Sequence, residues 1–452
     1  MKRILVIGGG VAGLTAAREL AQSGARVTLL EARSRLGGRI HTEYPRGAGG
    51  PVELGAEFLH GRHPELWRMA RAAGLLVYEV RGEHRYARPG RLEAGEGIWD
   101  RTGQILSRMA RAGGPDRTFA EFIHGEFAGP RWKEAREWAI NYVEGFNAAD
   151  HERVSIQWLA QGGRASGEIE GDRQFRAANG YSRLIDWLVG ECERLGVIIV
   201  PGSAVRRIVW RRGGLSASTN SDPGPAPRFD AAIVTVPLGV LQAGDIRFEP
   251  DPPNLAAARQ LVMGPVARVT LRCKEAFWEE GLPAAGGAKV AELSFIHARD
   301  ELFPTWWTQY PLQSRLITAW AGGPRAARLL ALSDSGRTGA AVDSLARATG
   351  LKRNEVETSV EGVHHHDWAS DPFARGAYCY VPAGATGAVR ELAAPCEETL
   401  FFAGEAADTT GHTGTVHGAI ASGLRAAAEA MGSRSPTGEL RAESEKTGTN
   451  PG

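Results

Sequence analysis

The sequence predicts an α/β fold in which a doubly wound parallel sheet is joined to a second, α+β domain. A β-branched run, Arg3–Ile7, is followed by a glycine turn, an alanine-rich helix over Leu14–Gln22 and a further apolar run, Arg26–Leu30. That order is a βαβ unit, the building block of parallel sheets. Short alternating elements return after residue 180, and aromatic, arginine-rich helical segments separate the two stretches.

The length of 452 residues allows two or three compact units. We expect residues 1–78, 180–247 and 385–432 to form one discontinuous domain. Residues 79–179 and 248–384 form the second domain with a helical insert, and residues 433–452 form a disordered polar tail.

The later elements follow from local pattern. Trp132, Trp138 and Tyr142 recur at helical spacing within Arg131–Phe146. The remaining predicted elements are a helix over Leu184–Glu193, strands over Val197–Val200, Val205–Trp210 and Ala231–Val236, and a last strand, Thr399–Ala403, before a helix that begins near Thr415.

Charge and cysteine content exclude several classes of protein. The chain has 53 basic and 52 acidic residues, a balance that favours neither nucleic acid nor an anionic membrane as a partner. It lacks the run of about 18 apolar residues that a membrane-spanning helix needs. The four cysteines form no CxxC pair, which fits free thiols in a reducing cytoplasm.

The glycine turn carries the first motif. Gly8, Gly10 and Gly13 lie between a strand and a helix, and Glu31 ends the next strand. These glycines let the backbone approach a pyrophosphate at the helix N-terminus, and Glu31 is placed to accept hydrogen bonds from a ribose. This is the Rossmann dinucleotide pattern, and at this point NAD and FAD both remain open.

Several further segments carry a resemblance that extends from Ile4 to about Ala430. They are Glu31–Arg39 with its arginines and second glycine turn, Glu53–Gly61, Val205–Ile208, Val234–Leu241, Phe402–Glu405 and Gly414–Ala419. Together they resemble the flavin amine oxidase superfamily of monoamine oxidases, polyamine oxidases and lysine-specific histone demethylases. The resemblance implies a Rossmann-like FAD-binding domain and an α+β substrate-binding domain.

The resemblance also implies which residues contact FAD. They are Gly8, Gly10, Val11, Ala12, Gly13, Glu31, Ala32, Arg33, Gly38, Arg39, Gly55, Ala56, Glu57, Phe58, Val205, Pro237, Gly404, Glu405, Thr415 and Val416. A helix that starts beside Thr415 offers free amide groups to the carbonyl edge of the flavin.

The segment Trp368–Tyr380 resembles the family's wall above the reacting face of the flavin. On that match Trp368 and Tyr378 face the ring, where aromatic side chains exclude water and attract an amine; core packing is the alternative role. His60 occupies a position that is also His in several polyamine oxidases. It would either help deprotonate the substrate or be a structural histidine.

Three positions depart from the family pattern. Ala377 stands where monoamine oxidases have the cysteine that binds FAD covalently, so non-covalent FAD is expected. Thr415 replaces the second pocket tyrosine, so no two-tyrosine cage is expected. Arg268 stands where the family has an active-site lysine, and three interpretations stay open: a conservative replacement, a site for an acidic substrate, and altered oxygen reactivity.

The resemblance implies oxidation of a small-molecule amine to an imine by hydride transfer to flavin N5, with O₂ as acceptor. The alternatives are a dehydrogenase or desaturase of a non-amine or carboxylate-bearing substrate, and a non-catalytic flavin-bound scaffold. His364–His366 are adjacent and rarely converge on one ion, so no metal site is predicted. The oligomeric state stays open, with a homodimer as one compatible state.

Overall fold

The computed structural model describes residues 1–88, 91–95, 98–220, 227–286, 290 and 292–432, without the side chains of residues 98 and 99. The polar tail predicted at 433–452 lies outside these residues. The α-helices are Val11–Gln22, Pro64–Ala72, Ile98–Ala110, Phe119–Glu126, Lys133–Asn147, Ile156–Glu168, Ser182–Arg194, Leu238–Ala243, Asn254–Ala258, Gly323–Leu330, Asp334–Thr349, Arg353–Ser359, Ala388–Ala393 and Val416–Met431.

The first sheet has five parallel strands. Their spatial order is Ile198–Val200, Arg26–Leu30, Arg3–Ile7, Ala231–Val234 and Leu400–Phe402. The central strand is a continuous apolar run because both faces of the sheet are covered, and its Ile4, Leu5 and Val6 have no exposed surface. The helices Val11–Gln22 and Val416–Met431 pack together on one face.

The second sheet has seven strands. Their order is Val360–His364, Val266–Cys273, Leu316–Gly322, Thr305–Thr308, Leu293–His297, Glu83–Arg88 and Arg91–Glu93. The strands pair antiparallel except Leu293–His297, which runs parallel to Glu83–Arg88. Its core contains Trp278, Phe303 and Trp306, all nearly fully buried.

The other sheets are small. One has the order Arg228–Phe229, Gly214–Thr219, Val205–Arg211 and Arg247–Glu249; another has Leu59–His60, Gln174–Ala177 and Val77–Glu79; the two-stranded sheets are Val262–Gly264 with Tyr378–Tyr380 and Thr42–Glu43 with Val52–Glu53. The 3₁₀-helices are Pro130–Trp132, Phe277–Glu279, Pro283–Ala285 and Glu405–Ala407. Of the described helices, none combines the length and the apolar character that crossing a membrane requires.

The predicted fold class is confirmed, and the differences are local. The first helix begins at Val11 rather than Leu14 because Gly10 is already its N-cap, so the glycine turn is shorter than predicted. The strands Glu83–Arg88 and Arg91–Glu93 pair antiparallel in the second sheet, whereas the sequence predicted aromatic, arginine-rich helical segments in this part of the chain. Pairing with the distant strand Leu293–His297 decides their conformation, and local periodicity does not report it. The domain boundaries stay a prediction.

Candidate active site

A cavity of about 510 Å³ lies between the two large sheets. Ile7, Leu30, Thr235 and Gly404, at or just beyond the carboxyl ends of four parallel strands, form part of its lining. Ligands of open α/β sheets bind at this edge, where the strand order reverses. The opposite wall comes from the seven-stranded sheet and the helix Lys133–Asn147.

The predicted cofactor residues converge on this cavity with one exception. Gly13 does not line it, and its place is structural: a Cβ atom there would lie 1.9 Å from the carbonyl oxygen of Gly8. This glycine therefore permits the close approach of the first helix to the first strand, one of the roles of glycine in the dinucleotide pattern.

The turn after the first strand fits a pyrophosphate. Gly10 caps the helix Val11–Gln22 without any side-chain cap, so the first helical amides keep their hydrogen-bonding capacity. Glu31 is held by the backbone: its carboxylate oxygens accept hydrogen bonds from the Gly9 amide at 2.6 Å and the Arg33 amide at 2.8 Å. A carboxylate has about four acceptor positions, so capacity for a ribose remains.

A second cradle is built around Gly55 and Arg39. A Cβ atom on Gly55 would lie 1.9 Å from the carbonyl oxygen of Arg39. Arg39 Nη1 donates to Glu405 Oε1 at 2.8 Å and to the Ala377 carbonyl at 2.7 Å, and Glu405 Oε2 accepts from the Cys379 amide at 3.1 Å. The N-terminal and C-terminal glycine segments are thereby joined at one wall of the cavity.

Thr415 forms the N-cap of the C-terminal helix Val416–Met431. Its Oγ1 accepts from the Gly418 amide at 3.0 Å and donates to the His412 carbonyl at 2.6 Å. Because Thr415 and Val416 both line the cavity, the positive end of this helix is directed at the same space as the first helix.

Trp368 and Tyr378 both line the cavity and are fixed by hydrogen bonds. Trp368 Nε1 donates to the Leu54 carbonyl at 2.8 Å, and Tyr378 Oη donates to the Phe146 carbonyl at 2.9 Å. Burial raises the pKa of Tyr378, so its hydroxyl stays protonated. The two rings are therefore rigid wall elements rather than titrating groups.

Arg268 is engaged by neighbouring acceptors. Its Nη2 donates to Glu57 Oε2 at 2.6 Å and its Nη1 to the Gly55 carbonyl at 3.0 Å. Glu57 also forms an ion pair with Arg176 Nε at 3.0 Å and accepts from Trp307 Nε1 at 3.2 Å. The side chains of Arg268, Glu57 and Arg176 are only 5%, 3% and 2% exposed. Two buried guanidinium groups thus share one carboxylate.

His60 lines the cavity beside Phe146, with 5.3 Å between ring centroids. Burial lowers the pKa of His60 to about 4, so the ring is neutral near pH 7. Its Nδ1 has no hydrogen-bond partner among the described residues. A neutral imidazole of this kind is a weak base but a good hydrogen-bonding group.

Sequence reasoning missed several lining or supporting residues. They are His84, Asn141, Phe146, Gln174, Arg176, Phe295, His297, Trp307 and Trp320. The helical spacing around Trp138 was the one available signal for the helix that contributes Asn141 and Phe146. The strand residues gave none, because only sheet register shows which side of a strand faces a cavity.

The consecutive histidines are engaged in surface pairs. His364 Nδ1 lies 3.3 Å from Glu43 Oε2, and His366 Nε2 lies 2.8 Å from Asp371 Oδ2. Asp371 also accepts from Arg33 Nη2 at 2.7 Å, which ties the segment before Tyr378 to the dinucleotide turn.

The described residues include one group with metal-ligand spacing, which the sequence did not indicate: Glu144, Asp150 and His151. Glu144 Oε1 lies 2.6 Å from His151 Nδ1, and this hydrogen bond raises the pKa of His151. An ion pair between Glu144 and His151 explains why these side chains lie close together.

The fold and the cavity define a dinucleotide-binding protein whose second domain covers the carboxyl edge of its parallel sheet. Residues 11–431 match the family model described as flavin containing amine oxidoreductase. The chain belongs to that family of flavoenzymes. It is 28% identical to polyamine oxidase 4 of Oryza sativa subsp. japonica over 94% of this chain and 88% of that protein.

Other relatives are named for different activities. Lysine-specific histone demethylase 1 homolog 2 of Oryza sativa subsp. japonica is 28% identical over 95% of this chain, which spans 57% of that protein. Among solved structures, wild-type putrescine oxidase bound to putrescine superposes with a TM-score of 0.79, and cyclohexylamine oxidase from Brevibacterium oxydans IH-35A with 0.78. Both alignments cover 95% of this chain and 99% of the other, at 20% and 21% identity. At that identity they support the fold alone.

Proposed function

We propose that the protein oxidises the carbon–nitrogen bond of an amine with bound FAD. The observation that carries this proposal is the single cavity shared by both glycine cradles and the aromatic pair Trp368 and Tyr378. FAD held by these cradles would supply a two-electron acceptor for a hydride from the carbon that bears the amine, and the substrate would become an imine after loss of the nitrogen proton. Water then hydrolyses the imine to a carbonyl compound and ammonia or a smaller amine.

The protein residues supply orientation and exclude water. Trp368 and Tyr378 cannot rotate without breaking their hydrogen bonds to backbone carbonyls, so they hold the substrate in one plane. Two guanidinium groups on one carboxylate leave positive charge beside the cavity, which lowers the pKa of a bound ammonium. The neutral amine, the form that gives up hydride, is thereby favoured, and His60 offers it a neutral hydrogen-bond partner.

Anaerobic mixing tests the proposal directly. The holoenzyme is mixed with monoamines, diamines, polyamines and amino acids, and flavin absorbance is followed by stopped flow. We expect at least one amine class to bleach the flavin. An oxidised spectrum that persists with every amine would contradict amine oxidation and favour the desaturase or scaffold alternatives.

We propose O₂ as the electron acceptor, leaving as hydrogen peroxide. Arg268 bears on this step because its Nη1 and Nη2 groups already donate to Gly55 and Glu57, whereas the resemblance implies that the family's lysine at this position holds a water beside the flavin. R268K should therefore raise the rate of reoxidation by O₂ about tenfold and change flavin reduction much less. Air-mixing of the pre-reduced enzyme measures that rate, and equal rates in both proteins would exclude Arg268 as its determinant.

The same proposal takes FAD as non-covalently bound, because Ala377 supplies no thiol beside Tyr378. The cytoplasmic location and the absence of a nucleic-acid partner remain predictions from composition, and a homodimer remains compatible with them.

A further inference from the structure

Aromatic rings form the wall of the cavity opposite the parallel sheet. Tyr142 and Phe146 stack with centroids 5.4 Å apart, and Trp307 lies 5.7 Å from Trp320 and 5.4 Å from Phe58. These residues come from one helix and two strands of the second domain, apart from Phe58. The body of a bound substrate therefore meets apolar ring surface.

Every carboxylate that lines the cavity within the described part of the chain is already paired. Glu31 accepts from two backbone amides, and Glu57 accepts from Arg268 and Trp307 and forms an ion pair with Arg176. Glu405 pairs with Arg39, and Asp245 with Arg375 at 2.7 Å. None of these carboxylates is left to neutralise a cation brought in by a ligand.

The imidazole groups on this wall do not supply charge either. His84 Nδ1 lies 3.1 Å from His297 Nε2, so one ring donates and the other accepts. Burial lowers the pKa of both, that of His297 to about 3, which keeps them neutral at physiological pH. The two imidazole groups are therefore polar but uncharged.

Two fixed positive charges lie against this wall and share one carboxylate. Arg268 lines the cavity and lies over Trp307, with its guanidinium carbon 5.6 Å from the ring centroid, and Arg176 lies 4.6 Å from the centroid of Phe58. Glu57 balances only one of the two guanidinium groups. A second ammonium on a substrate would therefore meet a net positive charge here, because the Glu57 carboxylate is already shared by two guanidinium groups.

We infer that the substrate is a monoamine whose reacting nitrogen is its only basic group, and whose remaining body is apolar and uncharged. This inference rests on the proposed amine oxidation. A diamine or polyamine would bury a permanently charged ammonium without a carboxylate partner, and the ring faces offset only part of that desolvation. The chain therefore differs in substrate class from what the names of its polyamine oxidase relatives suggest.

Matched substrate pairs test the inference. We compare kcat/KM of the holoenzyme for hexylamine and 1,6-diaminohexane, and for pentylamine and 1,5-diaminopentane, which differ only in the second ammonium. We expect the monoamine to be preferred by about a hundredfold. Equal or higher kcat/KM for the diamines would overturn the inference and leave amine oxidation intact, whereas no flavin reduction by any amine would contradict the proposed function itself.

A carboxylate introduced into the wall should reverse the preference. Gln174 lines the cavity, and Q174E changes its charge with little change in shape. We expect the diamine-to-monoamine ratio of kcat/KM to rise at least about tenfold. The matched control is Q104E, the same change on the exposed face of the helix Ile98–Ala110, where the ratio should stay constant.

H84D places the new carboxylate on a different strand of the same wall and repeats the test if Q174E folds poorly. An unchanged ratio in whichever of these variants retains bound flavin would overturn the inference. A rise in the ratio in Q104E of the same size would also overturn it, because the effect would then be one of overall charge.

Discussion

At the scale of single residues, Glu57 is the carboxylate that pairs with two buried guanidinium groups beside the cavity. Its side chain is 3% exposed, accepts from Arg268 and Trp307 and forms an ion pair with Arg176, and these three residues come from three separate strands. The two guanidinium groups would be expensive to bury without this carboxylate. Glu57 is therefore a structural centre for this part of the site, whereas the sequence predicted it among the residues that contact FAD.

E57Q should lower the free energy of unfolding by about 3 kcal/mol, because it leaves two buried cations without an anion. Urea denaturation of the holoenzyme measures this. E65Q is the control, since Glu65 pairs with Arg68 in an exposed salt bridge worth about 1 kcal/mol or less. Similar losses in the two variants would show that the buried network contributes little.

At the scale of elements, the contact between the first strand and the first helix depends on Gly13. Its hydrogen is the only substituent that fits against the Gly8 carbonyl and the Thr235 hydroxyl. An added Cβ on Gly10, which lines the cavity, would have no described atom within 4 Å beyond its chain neighbours, so Gly10 leaves space for a ligand, whereas Gly13 sets the position of the helix N-terminus that a pyrophosphate would occupy.

G13A should destabilise the protein by about 1–3 kcal/mol and weaken FAD binding, because the helix must move away from the strand. G190A makes the same change at an exposed helical glycine with no atom within 4 Å of the new Cβ. That control should gain up to about 1 kcal/mol. Thermal unfolding and flavin titration of both variants provide the comparison, and full FAD affinity in G13A would contradict the packing argument.

The hairpin of Thr42–Glu43 and Val52–Glu53 contains a second buried carboxylate. Glu53 accepts from Thr42 Oγ1 at 2.7 Å and from the Tyr181 amide at 2.7 Å. Burial raises the pKa of Glu53 from 4.5 to about 7, and no guanidinium group of the described residues binds the carboxylate directly to oppose this rise. The protonated folded state is favoured below pH 4.5, and that stabilisation is lost as the pH rises to about 7.

E53Q should therefore gain stability relative to wild type by roughly 2 kcal/mol between about pH 5.5 and pH 8, since glutamine resembles the protonated acid. Urea denaturation at both pH values measures how the difference in unfolding free energy between E53Q and wild type changes. E43Q, on the exposed part of the same hairpin, should show a much smaller change. A pH-independent difference between E53Q and wild type would mean that Glu53 is ionised throughout this range.

At the scale of the whole molecule, segments far apart in sequence close around one ligand site. Arg39 and Glu405 pair across 366 positions, and Arg33 pairs with Asp371 across 338. Each pair joins the first dinucleotide segment to a C-terminal segment on the cavity wall. Bound FAD would contact both the N-terminal and the C-terminal segments, and it should therefore stabilise the whole molecule against unfolding.

Acid precipitation should release the flavin into the supernatant as FAD, because Ala377 offers no covalent attachment. Refolded apoprotein should regain the flavin spectrum, and its unfolding free energy should rise by about 2.7 kcal/mol at an FAD concentration one hundred times the Kd. Added NAD is the control and should produce no shift. Flavin that remains in the precipitate would contradict non-covalent binding.

Local sequence was sufficient to predict the dinucleotide unit, and the predicted cofactor residues other than Gly13 line one cavity. Strand, turn and helix follow one another within 30 residues, so their pattern specifies both the elements and their contacts. The fold class and the family followed from these motifs. Trp368, Tyr378 and Arg268 were also found by their spacing within matching segments, and all three line the cavity.

The charge state and the wall of the substrate site were decided only by tertiary structure. That Glu57 joins Arg268 to Arg176, and that His84 meets His297, depends on strand register across more than 100 positions. Burial then sets the pKa values of these groups, and burial is a property of packing rather than of residue type. The sequence alone was sufficient to predict what kind of cofactor this family binds, whereas the three-dimensional pairing of charges, on which the proposed substrate preference rests, appears only in the tertiary structure.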